Sequence, residues 1–307
     1  MFVLGHFSTF DGWERESTMK KSLFLGGQGI SDPSALDFFP RVDPDDARRV
    51  HYVHVFLDNS GSMHSRRDPT CKALQSLRNV LSEGEKRLYE QTDGTVTLRA
   101  SIKWLNGDWL VKDVSVYDLP EVTAEMYQCD GGTPLVRESV VTLQDLTSKV
   151  AERRDQDLSA RGHLIWITDG EAGDMSDTAR LDTLKHMVQS LLNPVTPTGL
   201  QDTQVFDFFA IPIGEKARGF YTQIGIRDED IFDVPDTIGS RLEDALARTS
   251  LKILGEAGAV PEDLQLESSQ EDADGSELNG DAILRFMREN RAALDNSSSE
   301  TNPPEAF

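Results

Sequence analysis

The chain has 307 residues, 38% of them apolar and 27% charged, enough for a sizeable core and too apolar for wholesale disorder. Asp and Glu number 53 against 31 Lys and Arg, a formal net charge of -22, and the basic residues gather only in pairs such as Lys20 with Lys21 or Arg66 with Arg67. A surface of that sign repels phosphate and anionic lipid, which excludes nucleic acid and membrane surfaces as partners.

No apolar run approaches the roughly 18 residues of a membrane-spanning helix. Two cysteines, Cys71 and Cys129, exclude a disulfide framework. They fit a reducing compartment, so the cytoplasm is the expected location. Residues 1–49 show no sustained period and read as an irregular extension. Gly26 to Gly29 lack the strand, the Lys-Ser/Thr pair and the helix that frame a phosphate loop. Met19 opens a short apolar stretch without the cleavage pattern of a signal peptide. It is also an alternative start, which would make residues 1–18 an artefact.

From residue 50 the pattern becomes regular. Residues 52–57 are a short apolar run ending in polar turn residues, as a buried strand would be. Leu74, Leu77, Leu81 and Leu88 then recur at helical spacing over 70–91. Residues 95–105 and 109–116 are β-rich and are parted by Asn106, Gly107 and Asp108, a hairpin signal. Val136, Val140, Leu143, Leu146 and Val150 predict a helix over 134–154. Residues 163–167 predict a strand beginning at His163, and Leu181, Leu184, Val188 and Leu191 a helix that stops before Pro194. Strands follow at 205–213 and 231–234, and Leu242, Leu246 and Ile253 mark a last helix. Strands alternating with helices predict a doubly wound, Rossmann-like α/β fold. Its sheet is mostly parallel with one antiparallel edge strand, and helices cover both faces.

Residues 50–254 therefore read as one domain and 255–307 as an acidic tail. Between 255 and 281 the tail holds nine acids and no Lys or Arg, which predicts a solvated segment. Ile283, Phe286, Met287 and Leu294 then form a short amphipathic stripe near 281–294, with Asp281 as its N-cap. The stripe suits docking on a partner and docking back on the domain equally well.

Open α/β sheets bind ligands outside the carboxyl ends of their strands. The first strand ends in Asp58, Asn59, Ser60, Gly61 and Ser62. One carboxylate and two hydroxyls at alternate positions suit a hard divalent cation, Mg2+ or Mn2+, and suit helix capping as well. Two further loops favour the cation. Residues 130–135 (Asp-Gly-Gly-Thr-Pro-Leu) bring Thr133 to a helix start, and residues 165–171 end a buried strand in Asp169.

Asp58-x-Ser60-x-Ser62, then Thr133 in Gly-Gly-Thr-Pro, then Asp169 in Thr-Asp-Gly, resembles the metal-ion-dependent adhesion site (MIDAS) of von Willebrand factor A (VWA) domains. The resemblance covers about residues 50–254, with all five motif positions filled. It implies a Rossmann-like sheet with the metal at its top, held directly by Ser60, Ser62 and Thr133 and directly or through water by Asp58 and Asp169. It further implies that a partner protein's Asp or Glu completes the metal's coordination. Within the family the chain looks most like intracellular bacterial VWA proteins, whose neighbours include tellurium-resistance stress proteins and partners of MoxR-type AAA+ ATPases. An AAA+ ATPase or a stress-system component is accordingly an expected partner. An exported or surface adhesion domain of the same fold is the alternative.

An enzyme is the remaining alternative. Ser60 sits on a strand-turn-helix, with His163 and Asp169 available in sequence, but the Gly-x-Ser-x-Gly elbow of hydrolases is absent. No catalytic activity is expected. His51 and His54 lie three apart on a strand and so face opposite sides, which disfavours a zinc pair. His64, Arg66 and Arg67 read as a solvated helix start, Glu171 and Asp174 as rim carboxylates, and the two cysteines as idle thiols.

Overall fold

The computed structural model describes residues 44–170, 172–194, 205–235 and 239–259. Residues 1–43 of the expected extension, residues 260–307 of the expected tail with its 281–294 stripe, and Glu171 lie outside the described residues; the last helix runs on to Ala257, past the expected domain end at 254.

Five strands form one sheet: β1 (Arg49–Leu57), β2 (Val96–Trp104), β3 (Trp109–Ser115), β4 (Ser159–Thr168) and β5 (Phe206–Pro212), in the order β3-β2-β1-β4-β5. β1 pairs in parallel with β2 and β4, and β4 in parallel with β5. Only β3, at the edge, runs antiparallel, joined to β2 by the hairpin at Asn106. The α-helices among the described residues are α1 (Arg67–Thr92), α2 (Leu135–Asp155), α3 (Thr178–Leu192), α4 (Glu215–Ile224) and α5 (Gly239–Ala257).

Alternation along β1 builds two cores. Val53, Val55 and Leu57 face α1 and α5 and pack with Leu74, Leu77, Leu81, Leu246 and Leu254. Val50, Tyr52 and Phe56 face α2, α3 and α4 and pack with Leu143, Leu146, Leu184 and Tyr221. Each fully buried large side chain contributes about 1.5–3 kcal/mol relative to exposure, so the central strand is anchored from both sides. This is the α/β class expected from the alternation of strands and helices. Among the described residues no helix is long and apolar enough to cross a membrane.

Three details differ from the sequence reading. Residues 231–234 do not form a strand; only Ile231 and Val234 make isolated bridges, to Ala210 and Ile213. The 3-10 turn at Asp228–Asp230 and the neighbouring Pro235 leave too little extended chain for a ladder. β4 starts at Ser159, so His163 lies in mid-strand, paired with Val53 on one side and Asp207 on the other. α4 was not anticipated, although Ala217, Phe220, Tyr221 and Ile224 follow helical spacing between Gly214 and Gly225.

The strand order also locates the site. The chain leaves β1 through α1 on one face toward β2, and it reaches β4, on the other side of β1, through α2 on the opposite face. The carboxyl ends of β1 and β4 therefore flank the topological switch point, where open α/β sheets leave a crevice.

Candidate metal centre

Asp58 follows β1 directly, and its N–H donates to the carbonyl of Ile167 on β4 at 2.9 Å. The side chain is buried and held at every polar atom. Oδ1 accepts the Ser60 N–H at 2.7 Å, and Oδ2 accepts the Thr168 hydroxyl. The Asp58 carbonyl accepts the hydroxyl of the fully buried Tyr127. Burial, chiefly, and the nearby Asp169 push the Asp58 carboxyl above its ordinary range, against the hydrogen bonds from Thr168 and Ser60 that lower it.

Ser60 and Ser62 open the 3-10 turn Gly61–Arg66, with Oγ atoms 3.0 Å apart. Ser62 donates its single hydroxyl proton to Asp169 Oδ1 at 2.7 Å, so Ser60 must be the donor to Ser62. Asp169 therefore joins the first loop through Ser62, while Asp58 reaches the β4 end through Thr168.

Thr133 arrives from the loop before α2. A Cβ built on Gly170 would lie 3.3 Å from Thr133 Oγ1 and 3.8 Å from Asp58 Oδ2, so both oxygens border the same small space. Two features hold this loop in place. Gly131 has φ +78° and is covered by the Asn106 side chain, which donates to the carbonyls of Asp130, at 3.2 Å, and Gly132. The Asn106 N–H in turn donates to Asn59 Oδ1 at 2.8 Å, which locks the hairpin turn to the first loop. From the other side, Asp174 accepts the N–H groups of Val136 and Arg137 at 3.0 and 2.8 Å, and the Gly173 N–H donates to the Thr133 carbonyl at 2.8 Å. Asp174 is thus a cap for α2 supplied by the third loop, not a rim carboxylate.

Asp58, Ser60, Ser62, Thr133 and Asp169, the five residues singled out in sequence, come together at one edge of the sheet. Sequence reasoning missed Thr168, Tyr127, Asn59 and Asn106, whose side chains hold the loops. It also read Arg66 as solvated. Instead Arg66 Nη1 bonds to Asp169 Oδ2 and lies 3.3 Å from the Ser62 carbonyl, with its side chain only 20% exposed.

The donor set is two carboxylates and three hydroxyls. Among the described residues no group of three or more His, Cys, Asp or Glu gathers to hold a metal. Oxygen-only donors with little soft or nitrogen character fit a hard divalent cation such as Mg2+ or Mn2+. The cysteines do not contribute. Cys71 and Cys129 are free, and burial, first of all, pushes the Cys71 thiol up to about 11.

No protein-family model matches the chain, and no curated protein matches it. Solved structures that it resembles include the pilus adhesin SpaC from Lactobacillus rhamnosus GG (12% identity, TM-score 0.45, covering 68% of this chain and 30% of that one). Proximal thread matrix protein 1 from the mussel byssus, in a form with a zinc-occupied MIDAS motif, is another (14% identity, TM-score 0.38, covering 68% and 47%). A third is the TFIIH p34 N-terminal domain (7% identity, TM-score 0.40, covering 68% and 100%). The chain spans about a third of the length of the pilus adhesin and about half that of the byssus protein.

Proposed function

We propose that the chain is a VWA-type, metal-dependent protein-interaction module. Asp58, Ser60, Ser62, Thr133 and Asp169 would hold Mg2+ or Mn2+, and the partner would be another protein offering an Asp or Glu. The observation that carries this reading is the convergence of oxygen donors from three separate loops at the switch point between β1 and β4. When bound, the cation supplies positive charge and open coordination positions to which a carboxylate can bind. The protein's own residues supply the preorganisation. Thr168 and Tyr127 fix Asp58, Ser62 aligns Asp169, and Asn106 and Asp174 brace the Thr133 loop. Without a cation, a chain of net charge -22 repels an acidic partner, so binding would depend on the metal.

A binding role is favoured over hydrolysis by the surroundings of Ser60. Its hydroxyl is committed to Ser62, whereas His163, the base a hydrolase would need, is buried in the sheet against His51 and Asp207. The setting we propose is cytoplasmic, with an AAA+ ATPase or a stress-system component as partner. The two free cysteines support a reducing compartment.

The test is a pull-down from the native host's lysate in Mg2+, in EDTA, and with an Asp58→Ala chain whose folding is checked by circular dichroism. A partner retained only with metal and intact Asp58 is the expected result. Partners indifferent to both would contradict the metal-bridging mechanism. A surface or extracellular partner would favour the adhesion alternative.

A further inference from the structure

The two carboxylates of the centre are not equivalent. Asp58 accepts only neutral donors, from Ser60 and Thr168. Asp169 is held by a cation that belongs to the chain itself. Ser62 donates to its Oδ1, and Arg66 occupies its Oδ2. The Asp169 side chain is fully covered, while Arg66 keeps 20% of its side chain in contact with solvent. The geometry of the arginine is local and fixed. Arg66 ends the 3-10 turn that begins at Gly61, and its carbonyl accepts the Thr70 hydroxyl at 2.8 Å. Its Nη1 also lies 3.3 Å from the Ser62 carbonyl, so one guanidinium links the first loop to the third.

A metal ion held by Ser62 and Asp169 would link the same two loops. Arg66 already sits on Oδ2 of Asp169, so an ion that takes this carboxylate meets a like charge beside it. A guanidinium never deprotonates in this setting and cannot escape the conflict by losing its charge.

We propose that Arg66 is a resident counter-cation of the metal centre. It neutralises Asp169 in the metal-free protein and gives up that carboxylate when a divalent cation binds. Metal loading is then an exchange, and Arg66 sets the metal concentration at which the site fills. The inference rests on the metal-centre reading above. Two effects of removing the charge act in the same direction. The incoming cation no longer meets a like charge a few ångströms away. The metal-free state loses the partner of a covered carboxylate and becomes less stable, which favours the loaded state.

The experiment is isothermal titration of MnCl2 into the full chain as wild type, Arg66→Gln, Arg66→Lys and Asp58→Ala. Arg66→Gln is expected to bind Mn2+ at least about tenfold more tightly than wild type, and Arg66→Lys within about threefold of it. An Arg66→Gln affinity equal to or below that of wild type overturns the exchange. Binding by Arg66→Gln but not by wild type supports it. Binding by neither overturns the metal reading itself, and binding that survives Asp58→Ala places the ion elsewhere and overturns both. A second readout uses wild type alone and so does not depend on any variant folding. The Arg66 guanidinium protons, followed by NMR, should exchange with water faster once Mg2+ saturates the protein. Unchanged protection with metal bound overturns the exchange.

Discussion

The two ends of the sheet handle buried charge in opposite ways. Toward the amino ends of β1, β4 and β5, buried polar groups pair with one another, although His51 Nε2 has no hydrogen-bond partner among the described residues. His51 Nδ1 lies 3.0 Å from His163 Nε2 with the rings stacked, and His163 Nδ1 lies 3.0 Å from Asp207 Oδ2. Arg161 grips both oxygens of Asp207, at 2.8 and 3.1 Å, and reaches Glu256 on α5 at 2.5 Å. Burial alone would raise the Asp207 carboxyl; His163 and Arg161 outweigh it and hold the group well below its ordinary range. At the carboxyl ends, Arg66 pairs with Asp169, while Asp58 accepts only from Ser60 and Thr168 and its carboxyl is pushed up, chiefly by burial. The first arrangement stabilises the fold. The second leaves Asp58 without a cationic partner, at some cost to the fold, as the proposed metal site would require.

Substitutions should separate the two ends. The largest effect is expected at the amino end. Asp207→Ala removes the carboxylate shared by Arg161 and His163 and leaves Arg161 only the half-exposed Glu256, so urea denaturation should show a loss of about 3 kcal/mol. A loss below about 1 kcal/mol would mean that the network is not structural. At the carboxyl end, Asp58→Asn should weaken Mn2+ binding by at least about 100-fold, read by titration calorimetry. Yet in EDTA its stability should match or exceed that of wild type, because a raised carboxyl is a group the fold prefers neutral.

Glu85, on α1, is next. Its carboxylate accepts the Thr97 hydroxyl at 2.6 Å and the Leu98 N–H at 2.7 Å, and burial, first of all, pushes it from 4.5 to about 7. Because the folded-state value lies above the unfolded one, its stabilising contribution is complete below about pH 4.5 and is lost as pH rises through about 7. Glu85→Gln, whose amide can donate to the Thr97 hydroxyl oxygen while its carbonyl accepts from the Leu98 N–H, should gain roughly 2 kcal/mol at pH 8 and flatten this slope. Denaturation curves from pH 4.5 to 8 check it. The buried His54 works in the opposite sense: burial, mainly, lowers it to about 4, so its contribution is present above about 6.5 and lost as pH falls toward 4. The smallest effect is that of Asp174→Ala. Loss of the cap on α2 should cost about 1 kcal/mol in thermal unfolding and weaken metal binding several-fold as the Thr133 loop loosens.

What the sequence revealed depended on whether the signal was local. β1, α1, the β2–β3 hairpin and α2 were readable because hydrophobic period and turn residues lie within each segment. The five oxygen-bearing residues could be singled out because each sits in a short motif just after a strand or at the start of a helix or turn. The groups that hold those donors were not readable. Arg66 meets Asp169 across 103 positions, Thr168 meets Asp58 across 110, and Tyr127 meets the Asp58 carbonyl across 69, so no spacing rule links them. Asn106 read only as a turn residue, although its side chain also fastens Asp130 and Gly132. Asp174 read as a loop acid because the helix it caps begins 39 residues earlier in the chain, at Leu135. The misread strand at 231–234 shows the converse. Apolar residues there promised a ladder, and the Asp228–Asp230 turn and Pro235 allowed only two bridges.

The most direct test of the metal centre is a crystal structure of the full chain grown with Mn2+, with data collected for anomalous scattering. An anomalous peak bordered by the side-chain oxygens of Ser60, Ser62 and Thr133, near Asp58 and Asp169 and with Arg66 withdrawn from Asp169, is the expected result. An ordered site without that peak, or manganese bound elsewhere with these five residues unchanged, would contradict it; a peak with Arg66 still seated on Asp169 would contradict the exchange alone.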